Sequence, residues 1–403
     1  MCRPLWIREG RRKCRPYKMK TIAFGIIGGG LMGKEFASAA ARWCHLVDPP
    51  ARPEIIAVAS GREASLQWFK QNVPTIRQAT TDYRELLKNP DIDAVYIAVP
   101  HHLHREMYVA AIEAGKHLMG EKPFGIDQAA NEAILAALAA HPNVLARSSS
   151  QFPFFPAVQK IGGMLERGEM GRILEVNTSF LHSSDLDPDK PINWKRQVEF
   201  NGEYGVMGDL GMHVCHVPFR ARFVPRDVRA VLSNVVTERP DAKGNRVSCT
   251  TWDNATLLIS ANDRDGTTFP WTLKTQRMAP GEKNTWFIEI LATRTSVRWS
   301  TRDPKRLEVL QYTPGGEQIW QHHQVGYEPA YKTITGAIFE FGFTDAILQM
   351  WAAFVYELAR HEQAGTGVAP TLTTCVTPPE TAMSHRLFTA ALQSHARNDV
   401  AAV

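Results

Sequence analysis

The sequence predicts two domains of different class: an N-terminal doubly wound, mostly parallel α/β sheet, then an α+β domain on an open, mostly antiparallel sheet. Three observations carry this. Apolar runs at 21–27, 54–59 and 94–99 alternate with helical stretches, the pattern of parallel strands covered on both faces. Beyond Ser150 the runs are only half apolar, at 173–181, 228–236, 256–261, 269–274, 285–291 and 307–312. Turn signals such as Ala279, Pro280, Gly281 and Pro314, Gly315, Gly316 separate them, as antiparallel strands require. The length of 403 residues suits two domains or a little more at about 150 residues each. The divisions fall at 1–18, 19–150 and 151–403.

The first stretch, 1–18, carries seven Lys or Arg against Glu9, so the net charge of +5 resides there and the rest of the chain is near neutral. A near-neutral body has no general attraction for phosphate backbones, which excludes nucleic acid as a partner. The stretch lacks apolar periodicity and reads as an upstream start or a disordered extension without a role. With 44% hydrophobic and 22% charged residues, and no apolar run of about 18, the composition is that of a soluble cytoplasmic protein with no membrane partner. Cys2, Cys14, Cys44, Cys215, Cys249 and Cys375 form no C-x-x-C pair, so neither a zinc site nor a disulfide framework is expected.

After the strand at 21–27 come Gly28, Gly29, Gly30, Leu31, Met32 and Gly33, then a helix to about residue 42. This is G-x-G-x-x-G between a strand and a helix, the context of a dinucleotide-binding Rossmann fold. Gly28 makes the tight turn, Gly30 lets backbone approach a pyrophosphate at the helix N-terminus, and Gly33 lets helix and strand pack. The second strand should end in the residue that reads the adenosine ribose. Here it ends in Ser60, Gly61 and Arg62. A guanidinium suits a 2′-phosphate where an NAD enzyme usually places a carboxylate, so NADP is favoured over NAD, with Glu63 as the opposing signal.

The third strand runs into Val99, Pro100, His101, His102, Leu103 and His104, followed by a helix over 105–114. Gly115, Lys116, His117 and a short strand then lead to Glu121, Lys122 and Pro123. Ligands of such sheets lie at the carboxyl ends of strands, where both loops fall. His104 is read as capping the following helix, and His101 or His102 as lining the nicotinamide pocket.

In the second domain Asp209 and His213 stand four apart on an expected helix, so both leave from one face, shared by His216. No third-ligand motif accompanies them, and no metal is expected. Trp194 and Trp271 are candidates to stack on a sugar ring or to fill the core. A helix over 338–360 is apolar enough to lie against the core.

These residues resemble the Gfo/Idh/MocA family, named for glucose-fructose oxidoreductase, inositol dehydrogenase and a rhizopine catabolism protein. The resemblance spans nearly the whole chain after Met19. It rests on Pro100, His104, Ala114, Gly115, Lys116, His117, Glu121, Lys122 and Pro123, on Gly208, Asp209, Leu210, Gly211, Met212 and His213, and on Ile192, Asn193, Trp194 and Lys195. It implies an active site between the domains, hydride transfer between NAD or NADP and a secondary alcohol of a sugar, cyclitol or related polyol, and a homodimer or homotetramer paired through the C-terminal sheet. Lys122, Asp209 and His213 are implied as catalytic, with Trp194 and Lys195 beside them at the substrate. The expected cofactor contacts are Gly28, Gly30, Leu31, Met32, Gly33, Ser60, Gly61, Arg62, Val99, Pro100, His101, His104, Glu121 and Lys122. Two departures, His216 in place of a common Asp and the run Phe152 to Pro156 in place of a common Arg, are expected near the substrate.

Oxidation of a secondary alcohol needs a base for the hydroxyl proton, and unperturbed imidazole titrates near about 6.5. His213 is assigned that role, Lys122 the stabilisation of the developing alkoxide, and Asp209 the orientation of Lys122 or His213. A Lys acting as base would need its pKa lowered by burial. Two other readings stay open: a glycosidase that uses transient oxidation, and a sugar-sensing regulator without catalysis.

Overall fold

The computed structural model describes residues 19–364 and 371–403, so the expectation for 1–18 lies outside the described residues. Six parallel strands, β1 (Lys20–Ile27), β2 (Ala51–Ala59), β3 (Gln78–Thr80), β4 (Ala94–Ile97), β5 (His117–Gly120) and β6 (Ala146–Ser148), form a sheet in the order β3-β2-β1-β4-β5-β6. Helices α1 (Leu31–Ala41), α2 (Glu63–Asn72), α3 (Tyr83–Leu87), α4 (His104–Glu113) and α5 (Gln128–Ala140) connect them. The order reverses between β1 and β4, which opens a crevice at their carboxyl ends. Phe24, Ile26, Val58 and Tyr96 are buried because helices cover both faces, which is why these strands read as unbroken apolar runs.

Helix α6 (Pro156–Glu166) leads into the second sheet. Its remaining helices are α7 (Val198–Asn201), α8 (Met212–Arg220), α9 (Phe343–Ala364) and α10 (Pro378–Arg397). The strands are β7 (Ile173–Leu181), β8 (Val224–Ser233), β11 (Asn254–Asn262), β12 (Thr268–Gln276), β13 (Thr285–Ala292), β14 (Thr295–Ser300), β15 (Arg306–Gln311), β16 (Gln321–Gln324) and β17 (Ala401–Ala402), with a separate hairpin of β9 (Glu238–Pro240) and β10 (Arg246–Ser248). They order β16-β15-β14-β13-β7-β12-β11-β8-β17, and only β7 with β12 is parallel. One face buries Val176, Trp271, Trp286 and Ile288 under α8 and α10. The other face carries exposed Val231 and Leu258 on neighbouring strands. Both expected fold classes are present.

Among the elements that differ from the sequence reading are β8, α9 and α10. The strand expected at 228–236 ends at Ser233, because the Asp253 carboxylate accepts the amides of Val235 and Val236 at 2.8 and 3.1 Å and takes them out of the ladder. The helix expected at 338–360 begins at Phe343, where Gly342 N donates to Asp345 Oδ2 at 2.9 Å. It covers the first sheet instead of the second: Trp351 stacks on Phe36 at 3.6 Å and meets Tyr96 edge-on at 4.8 Å. Glu357 of α9 pairs with Arg147 of β6 at 2.6 Å. Helix α10 was not anticipated, although Thr377 and Glu380 close a capping box at its start.

Candidate active site

A cavity of about 1050 Å³ runs from the glycine-rich turn after β1, past the ends of β2, β4 and β5, to the ends of β7 and β12. At its first end Gly28 has φ +107°, and a Cβ there would sit 2.2 Å from Ala98 O, so only glycine fits. A Cβ on Gly33 would lie 2.5 Å from Gly28 O, which is the close helix–strand packing expected of it. A Cβ on Gly30 would meet nothing within 4 Å; this glycine borders open cavity at the N-terminus of α1, where free amides can receive an anion. Leu31, Met32, Ser60, Gly61 and Arg62 line the same end. Glu63 does not: its carboxylate accepts from Gln67 Nε2 at 2.9 Å, along α2.

The loops after β4 and β5 form the middle. Val99, Pro100, His101, Glu121 and Lys122 line the cavity. His104 does not, which corrects its assignment to the cofactor. It is fully buried, its Nε2 bonds Val99 O at 3.0 Å and its ring stacks on Tyr108. Nor does it cap α4, whose N-terminus has no side-chain cap. His104 braces the loop from behind. Glu121 accepts from the hydroxyls of Tyr96 and Ser149, each at 2.6 Å.

At the closed end, Met207–Gly211 forms a wide π-helical turn that runs into α8, rather than one regular helix. Asp209 and His213 nevertheless both face the cavity. Lys122 Nζ donates to Asp209 O at 2.5 Å and Oδ1 at 2.8 Å, and Lys195 Nζ donates to the same Oδ1 at 2.9 Å. Arg277, one residue beyond β12, ion-pairs with Oδ2. Of the two partners the sequence left open for Asp209, it is Lys122 that it bonds, while His213 bonds Ser150.

His213 Nδ1 bonds Ser150 Oγ at 3.0 Å, and its ring packs edge-on against Phe152 at 5.3 Å. Burial, then the Lys122 charge, pushes His213 well below the ordinary imidazole value, so it is neutral at physiological pH. Burial, with Arg277 adding and Glu121 opposing, lowers Lys122 to about 8. Burial together with Arg277 and Lys122 takes Lys195 well below its usual range.

His216, expected on the same face, is fully buried away from the cavity, further along α8 than His213 and near Glu380 and Arg220. Of the run Phe152 to Pro156, no side chain lines the cavity; Phe152 acts only by backing His213. Trp194 lines the cavity and meets His101 edge-on at 4.9 Å. Trp271 is core, with Nε1 donating to Thr178 at 2.8 Å. Sequence reasoning missed Arg277, His182 and Ser150. All three follow strands, His182 and Arg277 at the cavity and Ser150 behind His213, but none sits in a motif.

The family model described as "Oxidoreductase family, NAD-binding Rossmann fold" matches residues 22–148. Levoglucosan dehydrogenase of Pseudarthrobacter phenanthrenivorans is 34% identical over 235 residues, 56% of this chain and 57% of that protein. The dTDP-3,4-didehydro-2,6-dideoxy-α-D-glucose 3-reductase of Saccharopolyspora spinosa is 31% identical over 163 residues, 40% of this chain and 46% of that protein. The chain thus spans about half the length of these curated relatives. A solved levoglucosan dehydrogenase in complex with NADH and L-sorbose superimposes with a TM-score of 0.85 at 25% identity, covering 96% of this chain and 99% of that one.

Proposed function

We propose that the chain, whose residues 22–148 match the NAD-binding Rossmann domain of the Gfo/Idh/MocA oxidoreductases, is a member of that family and transfers a hydride between nicotinamide and a secondary alcohol or ketone of a sugar, cyclitol or related polyol. The observation that carries this is the meeting, in one cavity, of a glycine-rich nucleotide cradle with Lys122, Asp209 and His213. The residues fit a dinucleotide: Gly30 leaves room at the amides of α1, and the cavity continues to Lys122. When bound, the nicotinamide accepts or returns the hydride.

The chain supplies the rest. With Nδ1–H donating to Ser150 Oγ, His213 keeps the Nε2 lone pair for the substrate hydroxyl proton, and its lowered pKa keeps it neutral and ready. Lys122, held by two hydrogen bonds to Asp209, turns its remaining N–H to the substrate oxygen and stabilises the alkoxide as it forms. Trp194 offers an apolar face to the ring.

NADP is the preferred form in this reading. Arg62 lines the cavity while Glu63 is turned along α2, so the charge available to the ribose is positive. The same reading places the protein in the cytoplasm, as a homodimer or homotetramer paired through the sheet face that bears Val231 and Leu258. Among the described residues, no helix is long and apolar enough to cross a membrane.

A screen of polyols and keto-sugars followed by NADH and NADPH absorbance tests the activity, with cofactor titrations of the wild type and Arg62→Ala beside it. Expected are stoichiometric nicotinamide turnover, tighter NADPH than NADH, and loss of that preference in Arg62→Ala. Equal binding of both cofactors, unchanged in the variant, would overturn the NADP assignment; hydrolysis without net reduction would favour the glycosidase.

A further inference from the structure

We propose that the closed end of the cavity is a subsite for an anionic substituent, so that the preferred substrates are sugars carrying a carboxylate or phosphate rather than neutral polyols. The inference rests on the hydride-transfer reading above and concerns the substrate it selects. Three cations, Lys122, Lys195 and Arg277, converge there on the single carboxylate of Asp209. The other cavity-lining carboxylate, Glu121, accepts from the hydroxyls of Tyr96 and Ser149 at Oε1 and favours the charged forms of Lys122 and Lys195 from a distance, with an ion pair to neither. Asp185, the next acid near Arg277, lies outside the lining, is 2% exposed and bonds Lys190 Nζ at 3.3 Å, so it offsets part of the Arg277 charge from behind the cavity wall. At this end three cations thus face two cavity-lining carboxylates.

Donor capacity points the same way. The guanidinium of Arg277 has five N–H groups and turns Nη2 to Asp209 and Nη1 to Ser184 Oγ at 3.2 Å. Lys195 spends one of three on Asp209, and its side chain keeps 33% of its surface exposed, at the cavity. Arg277 is lowered to about 10 and Lys195 well below its norm, with burial the main cause, neighbouring cations adding and Asp185 opposing in each, so burial here disfavours the positive charge on balance. A neutral hydroxyl accepts a hydrogen bond but leaves that repulsion in place. A planar carboxylate or a phosphate would take the free N–H groups of Arg277 and Lys195 together and supply the missing negative charge. The anionic group stays chemically unchanged: a carbon elsewhere on the sugar that bears a secondary hydroxyl loses its hydride to the nicotinamide, the hydroxyl proton passes to His213, and a ketone remains.

The experiment compares matched pairs of the D-gluco, D-galacto and D-manno series: glycitol against aldonate, and hexose against hexose 6-phosphate. Each is assayed for kcat/KM with NADP and NAD, and for Kd by calorimetry on the NADPH complex. A charge-assisted pair in a buried site is worth about 10- to 100-fold. At least one anionic member is expected to exceed its neutral twin by that factor, and the aldonate and phosphate arms tell the two anions apart. Lys195→Gln is expected to bring the ratio to within about threefold, with Arg277→Gln doing the same if it folds. Neutral members equal to or better than their anionic twins, in rate and in Kd, overturn the proposal. If no compound is oxidised, the hydride reading fails, and the Kd ratio of aldonate to glycitol still decides the anion subsite.

Discussion

Asp209 is the residue around which the site is organised: one carboxylate accepts from Lys122 and Lys195 and ion-pairs with Arg277, and its backbone oxygen takes Lys122 again. Holding an ammonium this deep costs solvation, which is why Lys122 sits near 8 rather than at its usual value. The pH dependence follows with a definite sign, since a lysine loses its cation as pH rises through its pKa. In alcohol oxidation kcat/KM is expected to be level from about pH 6 to 7.5 and to fall about tenfold per unit above about 8. Lys122→Arg, whose guanidinium titrates above about 12, should push that falling limb out of range at a lower rate. A profile that rises through pH 8 would instead make Lys122 the proton acceptor. His213→Ala should lower kcat by about 10²- to 10⁴-fold with cofactor Kd little changed; near-normal kcat would make His213 structural.

At the scale of elements, α9 matters because its chain position and its packing disagree. It follows the second sheet in sequence yet covers the first, through Trp351 against Phe24, Phe36 and Tyr96. A fully buried tryptophan in such a seam is worth about 3–5 kcal/mol when truncated. Trp351→Ala is therefore expected to lose that much in denaturant unfolding. A loss under about 1 kcal/mol would show that α9 is dispensable to the first sheet. Arg42, just past α1, pairs with Asp345 at 2.9 Å and adds little, since both partners are about a third exposed.

For the whole molecule this packing means that 19–150 holds the dinucleotide motif but not all of its own cover. Expressed alone, the segment 19–150 would expose Phe24, Phe36 and Tyr96 on one face. It is expected to aggregate or to melt without cooperativity, while the full chain gives a cooperative transition. A soluble, cooperatively melting 19–150 would show that the sheet tolerates an open face. The cavity is likewise a property of the whole chain, since its lining comes from the ends of β1, β2, β4 and β5 on one side and of β7 and β12 on the other.

Wherever the chemistry is local, the sequence determined the outcome. The positive φ of Gly28, the packing of Gly33 and the open flank of Gly30 depend on a turn a few residues long, and the motif states them in full. Apolar continuity in the early strands and alternation in the later ones announced the parallel and antiparallel sheets, because each pattern reflects how many faces are covered. Lys122, Asp209 and His213 were legible because each stands in a recurring motif. What only the tertiary structure decided joins residues distant in sequence: Arg277 on Asp209, Ser150 on His213, Asp253 ending β8 and α9 lying on the first sheet. His104 and His216 were misplaced for the same reason. A histidine's sequence neighbours do not show whether its ring meets a cavity or a core, and that depends on how its helix packs against the rest of the chain.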